Sequence, residues 1–287
     1  MFFNCQNLES IDFSSYDMSN ITDMNCMFSG CTNLKSVNLI SLKTNNDIDR
    51  GRMFSRCLLL KIVDFPSDSK INVTNLARLF FCCSSLEAID FTSFNIFKVQ
   101  DMNRLFCECN YLKIINISSF QTINVIDMRR MFSLCTSLKS IDLSNFDTRN
   151  VEAMNDMFFD CRSLVTLDLS SFNINKVEYM HYMFIGYFSL KSINLSSFNT
   201  NSVINMSTES VDLSSFNIKN VILGSEVTNT AFIFSNQIFG PVGDYLKFMV
   251  ENIFYGCSFL KSVKSKDKLI LDMFNKNKEF CNNLIYN

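Results

Sequence analysis

The chain has 287 residues, 47% hydrophobic and 19% charged, with 26 Lys and Arg against 28 Asp and Glu. That balance excludes a disordered or collagen-like chain, and a net charge of -2 leaves no electrostatic footprint for nucleic acid. One histidine, His181, leaves little general acid-base capacity at neutral pH, while 30 Phe, 15 Met and 12 Cys supply a soft, bulky interior with only 7 Gly and 2 Pro to turn the chain.

Self-similarity organises everything else. Met1, Met27, Met53, Leu79, Leu105, Met131, Met157 and Met183 recur every 26 residues, and each is followed by Phe. Counting each copy from that residue, position 8 is Leu throughout, position 11 is Ile, Val or Leu, and position 13 is Leu, Ile or Phe. Leu138-Lys-Ser-Ile141-Asp-Leu143 shows the resulting L-x-x-I-x-L, the strand signature of leucine-rich repeats, whose periods run from roughly 20 to 29 residues. One strand per copy follows. Position 16 is Phe in most copies (Phe94, Phe120, Phe146, Phe172, Phe198, Phe216), followed by Asp or Asn in most, which turns the chain off the strand and plugs the corner. Val151, Met154, Phe158 and Cys161 then stand 3, 4 and 3 residues apart, a helical spacing with Asn150 at the N-cap.

The expected fold is therefore α/β: a right-handed leucine-rich-repeat-like solenoid with one parallel strand and one short helix per 26-residue repeat, stable only as a stack. Residues 1–206 form a regular array of eight copies. Residues 207–252 are truncated and divergent: Glu209–Phe216 follows the previous copy too soon, and a missing helical turn with a local bend is expected there. Residues 253–287 hold a final repeat, with Val263 two periods after Val211, and a Lys-rich C-terminal cap. The first ten residues lack a basic stretch and an apolar core, so no signal peptide is expected at this end. No window approaches the roughly 18 apolar residues of a membrane span.

Met154-x-x-Met-Phe-x-x-Cys-x-Ser-Leu-x-x-Leu-Asp-Leu-Ser-Ser-Phe-Asn173, with Val177 and Met180, resembles the BspA-like leucine-rich-repeat surface proteins of the DUF285 repeat type. The resemblance covers residues 1 to about 220 and, more weakly, 253–263. It implies a non-enzymatic protein at the cell surface or secreted, associated with adhesion to host cells or matrix. The repeated letters themselves are scaffold and specify no ligand.

Four sets of residues are candidates for chemistry. Cys5, Cys31, Cys57, Cys83, Cys109, Cys135, Cys161 and Cys257 all occupy position 5, a period that matches no zinc or redox motif. Helices packed roughly 8–10 Å apart would hold these thiols beyond disulfide reach, so they read as reduced core residues. Cys82-Cys83 and Cys107-Glu-Cys109 lack the further ligands a metal needs. Position 12 lies between two inward strand residues and faces outward as Asp12, Asn38, Asp64, Asp90, Asn116, Asp142, Asp168, Asn194 and Asp212, the candidate binding face. Position 26 carries Arg52, Arg78, Arg104 and Arg130, an outer basic stripe on four successive helices. Asp49, Asp101 and Asp127 precede three of these arginines by three residues, a spacing that favours intrahelical ion pairs. His181 reads as an exposed helix residue without a nucleophile partner.

There is no P-loop, dinucleotide glycine motif or His-Glu-x-x-His. The sequence thus predicts no enzyme, no catalytic residue, no cofactor and no metal. It predicts a protein or other macromolecule as partner, such as a host surface or matrix, with no nucleic acid. The alternative is a cytoplasmic protein-protein interaction scaffold, favoured by the unpaired thiols.

Overall fold

The computed structural model describes residues 1–197 apart from 18–19, 41–46, 68–69, 181, 185, 187–188 and 196, together with two further strands at 220–223 and 262–264. The L-x-x-I-x-L segments and two later segments form short parallel strands; through β10 the position-11 residues face inward or pack on the core and the chain advances one coil per 26 residues. These are β1 (Ser10–Asp12), β2 (Ser36–Asn38), β4 (Ile62–Asp64), β6 (Ala88–Asp90), β8 (Ile114–Asn116), β9 (Thr166–Asp168), β10 (Ser192–Leu195), β11 (Asn220–Leu223) and β12 (Ser262–Lys264). Register follows the repeat: Ile11 stands opposite Val37, Val37 opposite Val63, Ile89 opposite Ile115 and Leu167 opposite Ile193. Ser140–Asp142 is the exception, lacking strand pairing, although Ile141 still packs on the core.

Beyond the strand, N–H groups of Phe94, Phe120, Phe146 and Phe172 each return to the carbonyl three residues earlier, and the rings are buried, so the corner plug is present. A second line of pairing follows. β3 (Ile48–Asp49), β5 (Ile71–Asn75) and β7 (Phe94–Asn95) form one short sheet, and single bridges link Asp101, Asp127, Ala153 and Tyr179 in later coils.

The predicted helix is absent: no described residue is α-helical. In its place lies a run of tight turns. The coil carrying Met128–Cys135 shows the pattern. N–H groups of Met131, Ser133 and Cys135 donate to carbonyls three residues back, at 3.1 to 3.2 Å, whereas those of Arg130, Phe132 and Leu134 donate to Asn155, Met157 and Phe159 of the next coil, at 2.7 to 3.0 Å. This alternation requires left-handed backbone at positions 26 and 4, as at Arg130 (φ 56°) and Leu134 (φ 62°), or Asp156 and Asp160 (both φ 58°). The 3-4-3 apolar spacing survives because Val151, Met154, Phe158 and Cys161 all still face inward. Asn150 is no N-cap; its amide donates to Ile123 O of the preceding coil at 2.8 Å.

Spacing explains why turns displace helix. Paired strands stack about 4.8 Å apart, whereas packed helices need roughly 8–10 Å, so one helix per coil would splay the stack. The turn run keeps both sides near strand pitch. Accordingly the position-2 rings of Phe2, Phe28, Phe54, Phe80, Phe106, Phe132 and Phe158 stack along the axis at 5.4 to 6.0 Å, with interplanar angles of 2° to 11°.

In the sheet β11 lies beside β10, with Val221 opposite Ile193 and Ile222 opposite Asn194, and Val263 of β12 stands opposite Val221, so Asn220–Leu223 and not the expected segment around Val211 and Asp212 takes the place between β10 and β12. The truncated copy at 209–216 with its bend, and most of the divergent and capping segments, lie outside the described residues.

Helix and turn run differ in the sign of a glycine substitution. Arg56 is exposed with φ of 62°, so Arg56→Gly relieves about 1 kcal/mol of left-handed strain and is expected to hold or raise the melting temperature. A helix would instead lose about 1 kcal/mol. Leu138 is fully buried, so Leu138→Asp should unfold neighbouring coils in the same thermal assay, whereas Asp142→Asn should change stability by less than about 0.5 kcal/mol.

Candidate binding faces

The cysteine row is interior furniture of the turn run. Cys31 Sγ–H donates to Phe2 O of the preceding coil at 3.0 Å, and Cys57, Cys83, Cys109, Cys135 and Cys161 donate likewise to Phe28, Phe54, Phe80, Phe106 and Phe132 at 3.0 to 3.2 Å. Each of those carbonyls also receives the backbone N–H three residues on, for example Cys135 N–H to Phe132 O at 3.1 Å. A small apolar residue carrying one weak donor suits this position. All ten described cysteines are free. Helical spacing is not the reason, since no described residue is helical; each of these thiols is turned towards a carbonyl rather than its neighbouring sulfur. Burial pushes Cys57, Cys83, Cys109, Cys135 and Cys161 well above the ordinary thiol range. Cys82 is pushed up to about 12 by burial and by its bond to Glu108 Oε2 at 3.1 Å.

On the strand face, the described position-12 residues are exposed or half-buried, and six of them share one local job. The Oδ1 atoms of Asp12, Asn38, Asp90, Asn116, Asp142 and Asp168 accept the N–H two residues on, at 2.7 to 3.3 Å, fixing the exit from the strand. Hydrogen bonds from Ser144 hold the Asp142 carboxyl below its usual range. Asn116 Nδ2 also reaches Asp90 Oδ2 at 3.3 Å, relieving repulsion along the row. Asp64 is exposed in the same row, Asn194 is half-buried, and Asp212 lies outside the described residues, as does His181.

The middle of this face departs from polar character, which the letter-by-letter repeat concealed. Ile62 and Ile114, at position 10 of β4 and β8, are 55% and 67% exposed, with Ala88 of β6 between them in the repeat register. Tyr111, 59% exposed, and Leu58 and Leu59 are further exposed apolar side chains of the same two coils.

Arg52, Arg78, Arg104 and Arg130 come together along a groove of about 750 Å³ on the turn-run side. The expected Asp–Arg pairs do not form. Asp49, Asp101 and Asp127 instead accept the N–H groups of Gly51, Asn103 and Arg129 at 2.7 to 2.9 Å, and Asp127 also binds the Arg129 guanidinium. Without a helix, residues three apart no longer share a face. Among the described residues only Arg130 of the four has a carboxylate partner, Asp156 Oδ2 at 3.2 Å. Burial, then the charges of Arg104 and Arg52, push Arg78 down.

Sequence reasoning missed Arg50. It occupies position 24, where Met24, Leu76, Met102, Met128, Met154 and Met180 stand in other copies, and that break in an otherwise apolar column was the available signal. Arg50 is fully buried, its three guanidinium nitrogens find no hydrogen-bond partner among the described residues, and its charge lies 5.7 Å from the Phe94 ring centroid. Burial pushes it down to about 9.

Two lines of parallel pairing, tandem turns and a core continuous from coil to coil define a β-solenoid repeat protein. No described helix is long and apolar enough to cross a membrane. The family described as "Mycoplasma protein of unknown function, DUF285" matches residues 1–113, 74–190, 102–222 and 159–264. The chain belongs to this family. A solved structure, a leucine-rich repeat protein from Bacteroides ovatus ATCC 8483, is similar over 92% of this chain at 19% identity and a TM-score of 0.42. The chain spans 56% of that protein's length. No curated protein matches.

Two stability outcomes follow. Arg50→Met should stabilise the fold by about 1–4 kcal/mol, read as a higher melting temperature, because an unpaired buried charge gives way to the residue its column prefers; a loss would reveal a hidden partner. The ladder thiols hold their protons more tightly folded than unfolded. Their contribution is complete below the ordinary thiol value of 9.0 and is lost as pH rises above it. Denaturant unfolding should therefore weaken from pH 8 to pH 10.5, by up to about 1.4 kcal/mol per pH unit for each thiol, and Cys135→Ala should flatten the slope.

Proposed function

We propose that the chain is a non-catalytic binding protein that recognises another protein through its strand face, in adhesion to a host cell or matrix. One observation carries the reading: the exposed apolar residues Ile62 and Ile114, with Tyr111 and Leu59 of the same two coils, stand beside the polar row of Asp64, Asp90 and Asn116 on regularly spaced coils. A mixed patch of this kind is costly to leave in water and suits a protein partner. Solenoid surfaces bind in this way across many repeats, so contact energy is distributed. Family membership supports the repeat-protein class, and the BspA-like resemblance supports display at the cell surface or secretion.

The free thiols favour a second reading, an intracellular scaffold, because reduced cysteines persist in reducing compartments. Labelling intact source cells with a membrane-impermeant amine reagent separates the two. Modified peptides from this chain place it outside; protection beside a labelled surface control places it inside. The purified chain is expected to bind host cells or immobilised matrix protein, and Ile62→Lys with Ile114→Lys should abolish binding while leaving the melting temperature within a few degrees. Unchanged binding by that variant would remove the strand face from the reading.

A further inference from the structure

The groove on the turn-run side is a second surface, chemically unlike the strand face. Five arginines line it, Arg52, Arg56, Arg78, Arg104 and Arg130, against the carboxylates of Glu108 and Asp156. A local excess of positive charge thus sits on a chain whose net charge is -2. Of the four position-26 arginines, Arg52, Arg78 and Arg104 form no ion pair among the described residues, and the aspartates three residues before Arg52 and Arg104 are engaged by backbone N–H groups. Left-handed backbone at each (φ 54° to 57°) sets the four in one column.

We propose that this groove binds an extended acidic peptide lying along the solenoid axis, with its acidic side chains on the arginine column. The proposal rests on the reading of the chain as a binding protein but uses a different face. Geometry supports a peptide strand. Four coils at about 4.8 Å pitch spread the column over roughly 14 Å, and same-side residues of an extended chain recur every 6.6–6.8 Å or so. Acidic residues at i, i+2 and i+4 therefore span the column, and the three members without an ion pair among the described residues, Arg52, Arg78 and Arg104, can each hold a carboxylate by two hydrogen bonds.

The remaining lining favours a peptide over a uniformly charged polymer. Phe81, Leu134 and Phe159 present apolar surface, and Glu108 adds a negative charge of its own. A sulfated polysaccharide carries anions along both edges and would be repelled by Glu108 and Asp156. An extended peptide alternates its sides, so it can offer carboxylates to the arginines and apolar residues to Phe81 and Leu134.

The test uses the full chain and a fluorescein-labelled 12-residue peptide of alternating Glu and Leu, with a Gln-Leu peptide and heparin as comparators, followed by fluorescence anisotropy. Saturable binding of the Glu peptide, at least 10-fold tighter than the Gln peptide and weakened at least 10-fold between 50 mM and 500 mM salt, is expected. Arg78→Glu with Arg104→Glu should reduce affinity at least 10-fold; Arg78→Gln with Arg104→Gln, matched to wild type by melting temperature, guards against misfolding and should show a smaller loss. Equal binding of the two peptides, no effect of either double variant, or tight heparin binding without peptide binding overturns the proposal. Ile62→Lys with Ile114→Lys should leave peptide affinity unchanged. If adhesion fails while peptide binding persists, the strand-face reading falls alone; if peptide binding fails while adhesion persists, the groove falls alone.

Discussion

Backbone N–H groups at repeat positions 26, 2 and 4 donate to the next coil, while those between them return to their own coil. The rest of the solenoid depends on this division. It holds the turn-run side near the pitch of the strand side, so successive coils superimpose and each side chain meets its own counterpart 26 residues away. Stacked phenylalanines, thiols over carbonyls and buried Thr148, which donates to Asn173 O at 2.9 Å and accepts Asn173 N–H at 2.7 Å, are consequences of that superposition. Its cost is a left-handed residue twice per coil. Glycine fills that role only at Gly30 and Gly186 among the described positions, and Arg, Cys, Asp, Glu, Leu, Asn and Tyr bear it elsewhere.

Such a scaffold divides side chains by direction. Inward positions must fit the same residue from the coil above and below, so they keep Leu, Phe, Met and Cys. Outward positions are free of that demand and can assemble rows with a chemistry of their own. The arginine column and the Ile62–Ile114 patch are both of this kind, one on the turn run and one on the strands. Cysteine straddles the division: its sulfur packs as a small hydrophobe, yet its proton is committed to a neighbouring carbonyl, and this ties the stack to the protonated thiol.

The sequence made the strand side legible because alternation at positions 11, 12 and 13 has one structural solution, and the step of 26 set its register. The turn-run side was not legible in the same way. Val151, Met154, Phe158 and Cys161 lie on one face in a helix and also in a run of tight turns, so apolar spacing cannot choose between them. The left-handed positions would have been the signal had glycine marked them, but Arg130 and Leu134 hide them. From that one substitution of turn for helix came the misread Asp–Arg pairs and the misattributed cysteine spacing. The position-12 row was found by its direction, whereas its role in holding the strand exit required the hydrogen bonds.

Arg50 shows what the scaffold tolerates. A guanidinium replaces methionine in a dry column, with aromatic contact from Phe94 as its visible compensation. In a compact core such a charge would threaten the whole fold. In a solenoid each coil is stabilised chiefly by its two neighbours, so the penalty falls on the coils of Met24 and Leu76, while Met102, Met128, Met154 and Met180 further along the column stay buried beyond its reach. The same locality lets the outer rows vary coil by coil, which makes a regular β-solenoid a suitable carrier for two chemically distinct faces on one short chain.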